Sequence, residues 1–316
     1  MRQADAAMYA AKRAGKGRYE LYARDAEAAL DGTADAEPAP GWFVRAEQQR
    51  DEVLALLDEP FAPALAPIMS LRGGELAGHE ALARFAVPDD RPPAAWLAQA
   101  RRCGLGPRME AAVLDSALAV AGRPGGTFLA LNLPAYALDA DEVRAVLPSD
   151  LAGIVVELDE SSLLAAGEGL DLALARLRRR GARLAVDGAA AGYGGLRMLM
   201  RLRPDLVKLD RALVESLAED LAAQTLVESF VRLVRGIGAE VCAEGVEGPA
   251  DLHVLARLDV AYAQGRVVGS PADRYSRPAA EAAAAVARRG TPAARVRSVS
   301  TAPPETATPP SPRSSR

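Results

Sequence analysis

The sequence predicts an α/β protein folded as a closed, TIM-like (β/α)8 barrel, and three observations carry that prediction. Eight short apolar, often β-branched runs alternate with helical patterns, which implies parallel strands joined by crossover helices. The stretch 42–289 reads as continuous folded chain, near the ~250 residues typical of one such barrel. Glu80, Asn132, Glu157, Asp187, Lys208, Glu244 and Gln264 each lie within or at the end of a different strand run. In a barrel the carboxyl ends of the strands meet at one mouth, where such a set can act together. An open doubly wound sheet, the competing fold, would spread the same groups along an edge.

Taken in order, Ala4 to Arg13 is an Ala-rich helical pattern ending near Gly15 and Gly17, too short to bury a core. Residues 25–41 end in DGTADAEPAPG, small, acidic and Pro-containing, and read as a linker. The strand runs follow: ALAPIMSL (64–71), AGHEALARF (77–85), TFLALNL (127–133), GIVVEL (153–158), ARLAVD (182–187), DLVKLD (205–210), AEVCAEG (239–245) and VAYAQGRVV (260–268). Among the helical stretches between them, 169–181 and 221–238 stop at Gly181 and Gly238, where a left-handed cap is expected. The tail 290–316 is rich in Pro, Ser, Thr and Arg and predicts disorder.

Composition narrows the function classes. Lys and Arg number 38 against 42 Asp and Glu, a net charge of -4, so no basic excess exists for bulk nucleic-acid binding. Aromatic residues make up only 4%, which leaves Ala, Leu and Val to build the core. Cys103 and Cys242 lie far apart with no CxxC partner, so neither a disulfide framework nor a thiolate zinc site is readable. No apolar run reaches membrane-span length, and charges interrupt the N-terminus where a signal peptide would be apolar. A cytoplasmic protein without direct membrane insertion is expected.

Glu80, Asn132, Glu157 and Asp187 offer three carboxylates and an amide carbonyl, hard oxygen donors suited to Mg2+ or Mn2+. Clustered carboxylates repel one another unless a cation joins them. Lys208 could hold or deprotonate a water, or neutralise a phosphate oxygen. The set fits metal-assisted hydrolysis of a phosphate ester. Arg84, four residues after Glu80 and on the same side of an extended strand, could grip a phosphate. His79 points to the opposite face and reads as a packing or surface residue.

EALAR (80–84), NLP (132–134), ELDES (157–161), KLDRALV (208–214), AEGVE (243–247) and AQG (263–265) resemble, in order and spacing, the motifs of the EAL domain. That bacterial family hydrolyses cyclic di-GMP to linear pGpG. The resemblance implies a barrel whose first strand is antiparallel to the rest. It implies Glu80, Asn132, Glu157 and Asp187 as metal ligands and Lys208 as the residue ordering the attacking water. Glu244 and Gln264 would support the second metal side and the site wall, and Arg84 would contact a ligand phosphate. Glu160 would tie down the loop after the fifth strand, and Asp210 would act with Lys208. Dimerisation through the barrel is also implied. ADAAMYAAKRAGKGRYELY (4–22) resembles the end of a GGDEF diguanylate cyclase domain, so 1–24 is expected to be a remnant of a longer GGDEF–EAL protein, without the cyclase's catalytic part.

The resemblance breaks at two places. Where the family loop reads DDFGTGYSSL, this chain has DGAAAGYGGL (187–196), so Gly188 replaces an aspartate. A two-metal mechanism loses a carboxylate there. Ala66 stands where the family has a glutamine before Pro67 on the first strand. Two functions stay open: a phosphodiesterase attenuated by the altered loop, and an inactive EAL domain serving as a cyclic di-GMP receptor or protein-interaction module.

Overall fold

The computed structural model describes residues 41–85, 87, 91–165, 169–188 and 193–287. The expected cyclase remnant at 1–24, the linker up to residue 40 and the tail 290–316 lie outside the described residues.

All eight expected strands form: β1 (Ala64–Ser70), β2 (Leu76–Leu82), β3 (Phe128–Asn132), β4 (Ile154–Asp159), β5 (Arg183–Asp187), β6 (Leu206–Leu209), β7 (Glu240–Ala243) and β8 (Tyr262–Gln264). They close into one barrel in sequence order. β1 runs antiparallel to both β2 and β8, and every other pair is parallel. β2 is shorter than its apolar run suggests, ending at Leu82 rather than Phe85.

The period of two along each strand sorts side chains between two cores. Leu129, Leu131, Val156, Leu184, Val186, Val207 and Val241 face outward into the layer shared with the helices. Burial of each large aliphatic side chain contributes roughly 1.5–3 kcal/mol. Ile68, Ala130, Val155, Ala185, Leu206 and Cys242 face inward with Phe128 as a separate lumen cluster. A Cβ on Gly78 would come within 2.5 Å of the Phe128 ring, so glycine there is what lets the ring fill the barrel. Tyr262 meets that ring edge-on at 5.9 Å and donates to Glu240, which also pairs with Arg72. The strand starts are thus plugged, and the opposite mouth is left for chemistry.

The connecting helices are α1 (Gly41–Leu57), α2 (Pro93–Arg102), α3 (Gly106–Leu118), α4 (Asp141–Val146), α5 (Glu160–Ala165), α6 (Leu170–Arg179), α7 (Tyr193–Leu202), α8 (Arg211–Val214), α9 (Leu221–Gly236), α10 (Pro249–Arg257) and α11 (Ala280–Ala287). α1 begins at Gly41, one residue inside the expected linker. Asp220 caps α9 by accepting from the Ala222 and Ala223 amides. Gly181 and Gly238 take positive φ just beyond α6 and α9, as expected of stops. α1, α2 and α3 share a smaller core of Val53, Leu56, Trp96, Ala100 and Met109, with the Arg91 guanidinium 3.7 Å over the Trp96 ring. No helix among the described residues is long and apolar enough to cross a membrane.

Candidate active site

Strand register assembles the mouth. Glu80 pairs across the sheet with Ala66 on β1, and Asn132 with Glu157. Asp159 stands beside Asp187, and Gln264 beside Ile68. Lys208 projects from β6 into the middle of this ring, and only 1% of its side chain reaches solvent. Its Nζ lies 2.5 Å from Glu244 Oε1, 2.7 Å from Glu157 Oε2 and 3.2 Å from Glu80 Oε2. Asn132 donates to Glu80 Oε1 and Gln264 to Glu80 Oε2, both at 2.8 Å. Six of the seven strand-end polar groups are therefore one bonded network.

That network sets the charges. Burial alone would raise the Glu80 pKa, but the Lys208 ammonium and the hydrogen bonds from Asn132 and Gln264 outweigh it and hold the carboxyl below its ordinary value. Glu157, fully enclosed, is pushed up to about 8 by burial, with Lys208 pulling down and the charges of Glu80 and Glu244 pushing up. Glu244 is raised by burial, against the pull of Lys208, and Asp187 adds to the rise. Burial works against the Lys208 charge, yet Glu157, Glu80 and Glu244 together lift its pKa well above normal. Lys208 is an ammonium donor at any physiological pH.

Asp187 is half-buried at the end of β5, and Gly188 follows with φ +74 and, among the described residues, nothing within 4 Å of its Cβ position. Residues 189–192 lie outside the described residues, as does most of the loop that Glu160 was expected to hold. Glu160 opens α5. Asp210 caps α8 through a 2.7 Å bond from the Ala212 amide, just past β6. Arg84 departs from expectation. β2 ends before it, so strand alternation does not place it, and its exposed guanidinium donates to the neighbouring Ala83 carbonyl. His79 faces outward as expected, buried with its Nε2 2.9 Å from the Ser276 carbonyl oxygen.

Two contributors went unread in the sequence. Asp159 accepts from Ser161 Oγ at 2.5 Å and from the Ser162 amide at 2.7 Å, fixing the turn from β4 into α5. The signal was there: an acid followed by two serines at a strand end is a capping pattern. Glu247 is gripped by Arg211 and Arg266, each at 2.6 Å, which ties together the segments after β6, β7 and β8. Those partners are far apart in sequence, and no local pattern announces them.

Among the described residues no three Asp, Glu, His or Cys side chains form a ready-made metal cage. A Mg2+ site needs none, since such ions are held by one or two carboxylates, waters and substrate phosphates. The donors present suit that arrangement: Glu157 Oε1 and Gln264 Oε1 are buried with no hydrogen-bond partner among the described residues. Glu80, Glu157 and Glu244 also set three carboxyl groups around one ammonium, with Asp187 acting on Glu244 from beside them.

The profile of the EAL domain matches residues 49–271, most of the chain. The chain belongs to the EAL-domain family. It is 30% identical over 285 residues to the bifunctional diguanylate cyclase/cyclic di-GMP phosphodiesterase MucR of Pseudomonas aeruginosa, covering 86% of this chain and 40% of MucR. Among solved structures, the PaMucR phosphodiesterase in complex with c-di-GMP is 28% identical with a TM-score of 0.60, covering 71% of this chain and 97% of that one. Klebsiella pneumoniae BlrP1 in a manganese/cyclic di-GMP complex is 26% identical with a TM-score of 0.57, covering 70% and 58%. The EAL domain here spans less than half the length of the curated relatives it matches. The namesake triplet is Glu80, Ala81 and Leu82 at the end of β2, so its glutamate is the one that Asn132, Gln264 and Lys208 hold.

Proposed function

We propose that this EAL domain is a divalent-metal-dependent phosphodiesterase that hydrolyses cyclic di-GMP to linear pGpG. The observation that carries the reading is the buried Lys208 ammonium held by Glu80, Glu157 and Glu244 at the mouth of an EAL barrel. Relatives named as cyclic di-GMP phosphodiesterases, and EAL structures bound to that nucleotide, support the substrate.

Glu80, Asn132, Glu157 and Asp187 would hold Mg2+ or Mn2+, the Glu157 oxygen without a partner among the described residues being the donor most in need of one. The bound cation would polarise a phosphoryl oxygen and lower the pKa of a bound water. The chain's own groups do the positioning. Lys208, fixed as a donor, orients the attacking water and cannot take its proton. Asn132 and Gln264 each donate to Glu80 and hold it in one rotamer. Arg84, exposed beyond β2, is free to swing onto a substrate phosphate, and Asp210 caps α8 beside the same mouth. Glu244 completes the carboxylate shell of Lys208, and Glu160 begins α5 just after the β4 site residues.

Gly188 attenuates this activity, because no side-chain oxygen projects where the family loop carries an acid. A binding-only receptor is the reading Gly188 favours instead. Incubation of the purified chain with cyclic di-GMP and Mg2+ or Mn2+ separates the two: linear product supports hydrolysis, and tight binding without product supports the receptor. Residues 1–24 are read as the end of a GGDEF domain, in keeping with MucR's bifunctional name and its match over 86% of this chain. A homodimer through the barrel and a cytoplasmic location complete the proposal.

A further inference from the structure

A second polar constellation lies on the barrel's outer flank, away from the mouth. A cavity of about 280 Å³ opens between α4 and α6. Its floor is apolar, formed by the little that remains accessible of Leu138, Leu147, Ala173 and Leu177. Its rim carries four guanidiniums, those of Arg144, Arg176, Arg179 and Arg180, against the single carboxylate of Asp139.

Three of the four are held in place by the fold. Arg144 donates to the Asp139 carbonyl at 2.9 Å and pairs with Asp141. Arg176 pairs with the Asp139 carboxylate. Arg180 donates to three consecutive carbonyls, those of Leu147, Pro148 and Ser149, and these bonds leave its Nη1 unused. Arg179 makes no hydrogen bond or ion pair among the described residues. Four guanidiniums against the carboxylates of Asp139 and Asp141 leave a surplus of two positive charges. Arginines anchored on backbone carbonyls lose little further side-chain freedom when an anion arrives.

We propose that this cavity binds a small organic phosphomonoester. A phosphate monoester carries close to two negative charges at neutral pH, matching the surplus, and guanidiniums suit its oxygens by paired N–H donation. The apolar floor calls for an organic body attached to the phosphate, which free phosphate lacks. The volume lies just under the ~300–1,000 Å³ of pockets for drug-sized ligands, room for one nucleotide or sugar phosphate and too little for a cyclic dinucleotide. The site is distinct from the mouth, and it stands or falls independently of the hydrolase reading.

Isothermal titration of the full chain with GMP, ribose 5-phosphate and inorganic phosphate tests it. The expected result is saturable binding of an organic monophosphate, tighter than that of inorganic phosphate. Arg179→Glu should weaken it by about tenfold or more, the scale of one lost charge-assisted hydrogen bond, while leaving cyclic di-GMP turnover unchanged. Lys208→Ala, titrated at a temperature where circular dichroism shows it folded, should leave binding intact. Should Arg179→Glu fail to fold, judged by circular dichroism, Arg179→Gln carries the same expectation. Absence of saturable binding, binding indifferent to Arg179, loss of binding in Lys208→Ala, or equal affinity for inorganic phosphate would each overturn the proposal.

Discussion

Lys208→Met is the perturbation whose consequence the structure defines most sharply. The ammonium sits 2.5, 2.7 and 3.2 Å from three carboxylate oxygens and is 1% exposed. At an effective dielectric near 20, each contact contributes about 5–7 kcal/mol of gross attraction when its carboxyl is ionised, a form Glu157, raised to about 8, takes fully only at higher pH. Burying each ion costs several kcal/mol in return. Methionine fills nearly the same volume and removes the charge, so Glu80, Glu157 and Glu244 are left facing one another. Removing one partner of a buried ion pair costs about 3–5 kcal/mol, and that is the loss expected here. The assay is urea unfolding followed by circular dichroism, with and without saturating Mn2+. Because a bound cation restores positive charge among the same oxygens, Mn2+ should recover part of the loss in the variant and stabilise the wild type less. A loss under about 1 kcal/mol, or a Mn2+ effect equal in both proteins, would refute the view that Lys208 holds a repelling carboxylate cluster together.

Further expectations follow from single sites. Gly188→Asp enters a left-handed φ of +74 with nothing within 4 Å of its Cβ position among the described residues, so it should cost about 1 kcal/mol of stability yet raise cyclic di-GMP turnover; an unchanged rate would remove the loop as the source of attenuation. Ala66→Gln places an amide beside Glu80 at the mouth and should tighten cyclic di-GMP binding, read by titration calorimetry, with unchanged affinity counting against it. Glu110 on α3, buried and accepting a 2.8 Å bond from Tyr136, is raised by burial from 4.5 to about 7. The folded state therefore holds its proton more tightly than the unfolded chain. That contribution to stability is whole below about pH 4.5 and is lost as pH rises towards 7 and beyond, an effect of about 3 kcal/mol. Glu110→Gln should flatten the fall in unfolding free energy between pH 5 and 8, and an unchanged slope would sink the assignment.

Much of this architecture was legible because barrel strands carry their own markers. LALN, IVVE, LAVD and VCAE each end an apolar run in a polar residue, and those residues do meet at one mouth. The lumen's far end was not legible. Glu240, Arg72, Tyr262 and Phe128 close it through contacts between strands, and nothing within β7 or β8 alone distinguishes such residues from surface ones. Arg84 shows the weakness of extending alternation past a strand's true end, since an apolar Phe85 prolonged the run while hydrogen bonding stopped at Leu82. The hub role of Lys208 needed the fold, because Glu80, Glu157 and Glu244 come to it from three other strands or strand ends. The Glu247 clamp with Arg211 and Arg266 is likewise a product of neighbouring loops in space.

The central claim is that the lysine–carboxylate mouth hydrolyses cyclic di-GMP. The direct test is the initial rate of pGpG formation with Mn2+, for the wild type beside Glu80→Ala purified identically. The account predicts slow but measurable product from the wild type and none above background from the variant. No product from the wild type, or equal product from both, would contradict it.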